Sequence, residues 1–270
     1  DNSARTKLLL DTDIGNDPDD AACLAYLCLE EKGDLLAITT VGKRSPVRAE
    51  LADSICRSLG RADVPIAAGA DNPFFANLYW WDHHVKQAPY LKEYPASRQY
   101  EAGQAVALMQ ETIRNHPNEV TLLCVGPLTN AAALWMADPE TFGLLKEIVW
   151  MGGFYQVGRK EARYEANCML DAIAAGTLFE QVNVPIRVAG LEETRVLAAT
   201  IPQVEQWFSG SEFKPLLDFF LGTQWADPKP RWLGMHDPLA ASIIFNEGLC
   251  DYKTGRIKVH LAAYVIPKKQ

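Results

Sequence analysis

The feature that most constrains this chain is a strand-to-helix transition crowded with acid. Leu8-Leu9-Leu10 reads as a buried strand and runs straight into Asp11-Thr12-Asp13-Ile14-Gly15-Asn16-Asp17-Pro18-Asp19-Asp20. An apolar, helix-compatible run from Ala21 to Leu27 follows at once. Open α/β sheets bind their ligands where a strand end opens into a helix N-terminus. Five carboxylates within ten residues repel one another unless something positive sits among them. Helix N-terminal N–H groups relieve one or two such charges, and a cap uses only one acidic residue, a role open to Asp17 or Asp19. A hard divalent cation held by oxygen donors accounts for the rest. The spacing is not that of an EF-hand, because no Glu closes a twelve-residue loop.

The rest of the chain repeats the same strand-then-helix rhythm. Apolar runs at Asp34–Gly42, Val64–Gly69, Val120–Val125, Ile148–Met151 and Pro185–Ala189 read as strands. Helical segments at Pro46–Leu59, Gly103–Asn115, Ala131–Met136, Asp171–Phe179 and Val204–Thr223 fall between them, and another opens at Met235. Such alternation implies parallel βαβ units, hence an α/β fold with an open, mostly parallel central sheet and helices on both faces. Residues 71–100 and 225–232 read as long loops rich in Pro and aromatics, and the tail Arg256–Val265 alternates as strands do. No linker or internal repeat interrupts residues 1–270, so a single domain is expected.

Composition narrows the function classes. Net charge is −8, which argues against a nucleic-acid or polybasic membrane contact. An apolar fraction of 48% is enough for a sizeable core. The six cysteines form no CxxC pair and read as small buried hydrophobes. No apolar run is long enough to span a membrane and no signal peptide is visible, so a cytoplasmic location is expected. The start at Asp1 rather than Met leaves room for a removed leader.

Polar clusters recur at the predicted strand ends, at Gly42-Lys43, Thr129-Asn130, Glu165 with Asn167, and His236-Asp237. Asp11-Thr12-Asp13 with Asp19-Asp20-Ala21, Gly126-Pro127-Leu128-Thr129-Asn130, Met151-Gly152-Gly153, Glu165-Ala166-Asn167 and His236-Asp237 fall in an order that resembles the inosine–uridine-preferring nucleoside hydrolases. The resemblance implies a nucleoside hydrolase fold and Ca²⁺-dependent hydrolysis of an N-glycosidic bond, giving ribose and a free base. It implies Asp13, Asp20, Asp237 and the main-chain carbonyl of Thr129 as Ca²⁺ ligands, all hard oxygen donors. Asp13 is implied as the general base toward the attacking water. Asp19, Glu165 and Asn167 are implied as partners of the ribose hydroxyls, and His236 as the group that protonates the leaving base. A small-molecule nucleoside or ribosyl substrate follows, and family likeness suggests a homodimer or homotetramer.

Each residue also has a plainer reading. Thr129-Asn130 and Asp237-Pro238 suit helix caps, Glu165 suits a solvated charge, and His236 suits a core or capping histidine. The sequence departs from the family in three places. The Asp loop carries Asn16-Asp17-Pro18 as extra length, which makes Asn16 and Asp17 candidate substrate contacts beside Asp19. Lys43 and Arg159 stand where the family has asparagines, and two cations there would suit a 5′-phosphate or another anionic group. Trp80 and Trp232, with Trp81 and Trp225, lie in the two long predicted loops and would stack on a nucleobase or form subunit contacts; His83 and His84 sit beside them. The alternatives to a nucleoside hydrolase are therefore a hydrolase of a phosphorylated or other ribosyl compound, and a non-catalytic ribose- or metal-binding protein.

Overall fold

The computed structural model describes residues 4–74, 85–155, 165–207, 215–216, 218–219 and 232–259. Six strands, β1 (Thr6–Thr12), β2 (Gly33–Thr40), β3 (Ile66–Ala68), β4 (Val120–Cys124), β5 (Glu147–Met151) and β6 (Ile186–Ala189), form one sheet in the order β3-β2-β1-β4-β5-β6. Every pair in it is parallel. Strands covered on both faces can carry consecutive apolar residues, as β1 does at Leu8–Leu10 and β4 at Leu122–Cys124. Their side chains still alternate. Leu8, Leu10, Leu123, Val149 and Met151 pack on one face, while Leu9, Leu122, Cys124, Ile148 and Trp150 pack on the other.

The first face is covered by α1 (Asp19–Leu29), α2 (Ser45–Ser58) and α10 (His236–Phe245). The second is covered by α3 (Ala105–Asn115), α4 (Thr129–Ala137) and α7 (Ala172–Gln181). Helix α1 lies against α10, with the Tyr26 and Phe245 rings edge-to-face at 5.9 Å between centroids. The short helices α5 (Pro139–Phe142), α6 (Ala166–Leu170), α8 (Leu191–Thr194) and α9 (Ile201–Trp207) fill the connections. No helix among the described residues is long and apolar enough to cross a membrane.

Three expectations about connections change. The long stretch 71–100 contains a 3₁₀ turn at Ala88–Lys92, seated by the buried Tyr90, which stacks on Tyr94 and meets Phe219 edge-on. Trp232 is not in a loop but in β8 (Trp232–Gly234), which pairs antiparallel with β7 (Ala198–Thr200). In the tail, residues 256–259 form no strand. Val259 packs instead against α7, where its Cβ lies 3.6 Å from the position a side chain on Gly176 would take. Residues 260–265 of that tail lie outside the described residues.

Candidate active site

The strand order reverses between β1 and β4, because β1 leads to a helix on one face and β4 to a helix on the other. Crevices at such switch points, beyond the carboxyl ends of the strands, are where open α/β sheets bind ligands. Asp13 and Gly126 meet there. A Cβ on Gly126 would sit 3.0 Å from Asp13 Oδ1, so only glycine lets the two turns approach. The Gly126 carbonyl is held in turn by the indole N–H of the buried Trp150, at 3.1 Å.

The acidic loop is built so that its carboxylates face inward. Asp19 and Asp20 open α1, yet no side chain caps that helix, since Pro18 occupies the cap position. The capping role open to Asp17 or Asp19 is thus unfilled. Asp19, Asp20 and Asp237 are all buried and offer oxygens that lie within 4.8 Å of one another. Asp237 arrives from the first turn of α10, whose cap position is Met235 rather than Asp237 itself. Two helix N-termini therefore point at one cluster, and their partial positive charge offsets only part of its negative charge. Thr12 adds a hydroxyl to Asp20 Oδ1 at 2.5 Å.

Burial dominates the protonation of this group. It pushes Asp19 up to about 7, with Asp17 adding repulsion and the Asp237 backbone N–H opposing it. Asp20 and Asp237 are pushed well above the usual carboxylate range by burial and then by their neighbours' charges. Asp13 is raised to about 6 by burial, against the pull of Arg48, and its charge acts on all three of the others. Acids so arranged hold their protons to higher pH than ordinary carboxylates unless a cation replaces them. Their donors are all hard oxygen, which fits Ca²⁺ or Mg²⁺ and not a soft metal.

The remaining predicted residues divide by what they already hold. Glu165 is no solvated charge. It is buried and caps α6, accepting from the backbone N–H groups of Gly153, Asn167 and Cys168, each at 2.8 Å. Burial raises its pKa, and those three donors oppose the rise. The Asn167 amide donates to the carbonyls of Val125 and Met151, at 2.9 and 3.0 Å, and so ties the ends of β4 and β5 together. The Thr129 hydroxyl donates to Asp171 Oδ2 at 2.7 Å, and neither Thr129 nor Asn130 caps α4. His236 is half-buried, with its Nδ1 2.8 Å from Thr194 Oγ1, and burial lowers its pKa. Asn16 accepts from the Lys86 backbone N–H at 3.2 Å, and the exposed Asp17 accepts through its carbonyl from Gln87 Nε2 at 3.1 Å. Val85 packs on Gly15, whose φ of +132° excludes most side chains. The extra loop length is thus latched to residues 85–87. The Lys43 ammonium donates to Asn72, so it is engaged with a neutral amide. Arg159, Trp80, Trp81, Trp225, His83 and His84 lie outside the described residues, as does the Trp232 side chain.

Two groups shape the site in ways sequence reasoning missed: Arg48, which it did not single out, and Asn130, which it read as a strand-end polar residue or a cap. Arg48 is fully buried beneath the site, donating from Nε to the Lys43 carbonyl at 2.9 Å and from Nη1 to the carbonyls of Asp13 and Ile14. It thereby clamps the ends of β1 and β2 under Asp13. Asn130 does the same between β1 and β3. It donates to Asp11 Oδ1 and the Thr40 carbonyl, at 2.8 and 2.9 Å, and accepts from the Ala70 N–H at 3.0 Å. Asp11, raised to about 7 by burial, also accepts from Thr39 at 2.7 Å, so it braces the strands rather than facing the crevice. Asn130 had a local signal, a polar residue opening an otherwise apolar helix, whereas Arg48 had none.

Gly69 makes room for this bracing. A Cβ there would collide with the Asn130 side chain and come within 2.6 Å of the Thr40 carbonyl oxygen. Gly69→Ala is expected to destabilise the fold by about 1–3 kcal/mol, the usual cost of overpacking. A lower urea midpoint at unchanged slope is the readout.

A doubly wound parallel sheet with a carboxylate cluster at its switch point defines a ligand-binding α/β protein. The family model described as inosine-uridine preferring nucleoside hydrolase matches residues 8–265, and the chain belongs to that family. As such it is a ribonucleoside hydrolase, an N-glycosyl hydrolase. It is 33% identical over 254 residues to the pyrimidine-specific ribonucleoside hydrolase RihA of Shewanella sp. (strain ANA-3), covering 90% of this chain and 79% of that one. RihA of Escherichia coli O127:H6 is 32% identical over 246 residues, covering 86% and 76%. Among solved structures, the plant nucleoside hydrolase PpNRh1 superposes with a TM-score of 0.79 at 25% identity, covering 94% of this chain and 83% of that one. The inosine–uridine preferring nucleoside hydrolase of Bacillus anthracis gives 0.68 at 25%, covering 90% and 83%.

Proposed function

We propose that this chain hydrolyses neutral pyrimidine ribonucleosides with the help of a bound Ca²⁺. The observation that carries the reading is the buried meeting of Asp19, Asp20 and Asp237 beside Asp13 at the switch point. Asp13, Asp20, Asp237 and the Thr129 carbonyl are the proposed ligands, with Asp19 toward the ribose hydroxyls. A bound divalent cation supplies Lewis acidity toward water and a grip on vicinal hydroxyls.

The chain's own groups do the rest. Asp13 takes a proton from the attacking water, whose oxygen bonds to C1′ of the ribose. The C1′–N bond breaks with its electron pair going to the base. Positive charge that develops on the sugar is favoured by the surrounding carboxylates, as in glycosidases. The half-buried imidazole of His236 donates a hydrogen bond to the departing base and steadies its developing negative charge, and the base then takes a proton from water. The pyrimidine preference is supported by the named specificity of the two RihA relatives. A neutral substrate is supported by the engagement of Lys43 with Asn72.

The test is ribose release from uridine, cytidine, inosine and uridine 5′-monophosphate, with Ca²⁺ and then with excess EDTA. Release from uridine and cytidine that stops with EDTA and returns with Ca²⁺ is expected. Release indifferent to EDTA overturns the cation. Faster release from the monophosphate overturns the neutral substrate and gives Lys43 and Arg159 the specificity role.

A further inference from the structure

We propose that Thr194 is a positioning residue that fixes the proton of the neutral His236 imidazole on Nε2, so that the ring presents a donor to the leaving base. The inference rests on the leaving-group role proposed above for His236.

The geometry begins with the hydroxyl. Thr194 is completely buried, and its Oγ1 lies 2.8 Å from His236 Nδ1. Among the described residues that oxygen makes no other hydrogen bond. A buried hydroxyl hydrogen without an acceptor costs as much as a lost hydrogen bond, so the O–H donates to Nδ1. A neutral imidazole carries one proton, and with Nδ1 accepting, that proton is on Nε2. The opposite tautomer would leave the threonine hydrogen stranded and turn an acceptor lone pair toward the base.

The backbone around the pair is built as a jig. Helix α8, which carries Thr194, is anchored to the end of β5 through the Leu191 N–H on the Gly153 carbonyl at 3.0 Å. Glu192 reinforces the anchor by accepting from the Tyr155 N–H at 2.7 Å. The Leu197 N–H returns to the Thr194 carbonyl at 3.1 Å, and the Met235 N–H reaches the Leu197 carbonyl at 3.0 Å. The β7–β8 ladder, with Ala198 opposite Gly234, extends that link. Residue 194 is therefore held opposite residue 236 by main-chain bonds on both sides. Gly234 leaves space for the ring, since a Cβ there would lie 2.9 Å from Nε2 and 3.1 Å from Cδ2. That antiparallel ribbon lies outside the main sheet, and orienting the imidazole gives it a role.

The experiment compares two leaving groups. A nucleobase needs help to depart, whereas p-nitrophenolate from p-nitrophenyl β-D-ribofuranoside departs unaided. Thr194→Val is expected to lower kcat on the faster of uridine and inosine by more than about tenfold, and on the aryl riboside by less than about threefold. Thr194→Ser, which restores the hydroxyl, is expected to recover most of the nucleoside rate. Thr194→Val added to His236→Ala is expected to be no slower than His236→Ala alone. If the valine variant does not fold, Gly234→Ala displaces the ring by contact and is expected to give the same leaving-group-selective loss. Equal losses on both substrates overturn the proposal, as does a Thr194→Val enzyme that matches wild type while His236→Ala is slow. A His236→Ala enzyme with the wild-type nucleoside rate overturns the leaving-group role itself and this inference with it.

Discussion

Asp13→Asn is expected to slow ribose release from the preferred nucleoside by about 10²–10⁴-fold, the range over which a positioned general base contributes. The argument is one of placement. Asp13 follows directly on β1 at the switch point, with Gly126 from the turn after β4 pressed against it. Arg48 clamps its carbonyl from below, so the main chain that carries the carboxylate is fixed without the carboxylate being consumed. Asn cannot accept the proton, although it remains an oxygen donor of nearly the same shape. The measurement is kcat at saturating Ca²⁺, with the Ca²⁺ affinity of the variant taken by calorimetry. A loss that disappears at high Ca²⁺ would assign Asp13 to ion binding alone. Retained Ca²⁺ affinity with the full loss in kcat would assign it to proton transfer.

The second large effect is on stability. Addition of Ca²⁺ at about 100 times its dissociation constant is expected to stabilise the ion-free protein by about 2.7 kcal/mol, or roughly 5–10 °C in Tm for a chain of this size. The effect should depend on pH in a fixed direction. In the ion-free protein Asp11 and Asp19 are raised to about 7 and Asp13 to about 6. A native state that holds protons more tightly than the unfolded chain gains stability that is fully present below the ordinary carboxylate range near 4. That stability is lost as the pH climbs through 6 to 7. The ion-free Tm should therefore fall between pH 5 and pH 8. Ca²⁺ needs the ionised carboxylates, so its stabilisation should be larger at pH 8 than at pH 5. Asp20→Asn removes one of the mutually repelling charges, and is expected to raise the ion-free Tm at pH 8 while shrinking the response to Ca²⁺. Differential scanning fluorimetry with EDTA or Ca²⁺ at both pH values checks all three. A Ca²⁺ shift that is equal at the two pH values, or untouched in Asp20→Asn, would remove the cluster as the ion's site.

The sheet was legible because its signal is local. Leu8–Leu10 and Leu122–Cys124 are short apolar runs, each followed by a turn and a helix, as strands covered on both faces of a parallel sheet commonly are. The acidic cluster was legible in part. The crowding of Asp13, Asp19 and Asp20 is visible along the chain, whereas their meeting with Asp237 depends on α10 lying beside α1. What stayed hidden is nonlocal. Arg48 reads as one more basic residue on an amphipathic helix until the carbonyls of Asp13, Ile14 and Lys43 converge on it. Asn130 reads as a cap until it spans three strand ends. Strands β7 and β8 have only three residues each, too few to show a period. In the tail, residues 256–259 form no strand, and Val259 packs on a helix instead.

The packing of α10 on α1 also bears on how the protein comes into being. More than two hundred positions separate Asp20 from Asp237, and contacts of such long sequence separation carry the largest loop-closure cost and form late. During synthesis the strands and helices up to β6 can assemble while the acidic loop still lacks its last carboxylate. The cluster is completed only when the final helix of the described fold docks through Phe245 on Tyr26. A growing chain thus reaches the end of β6 before Asp237 can join the cluster, and the last carboxylate arrives together with the last layer of the core.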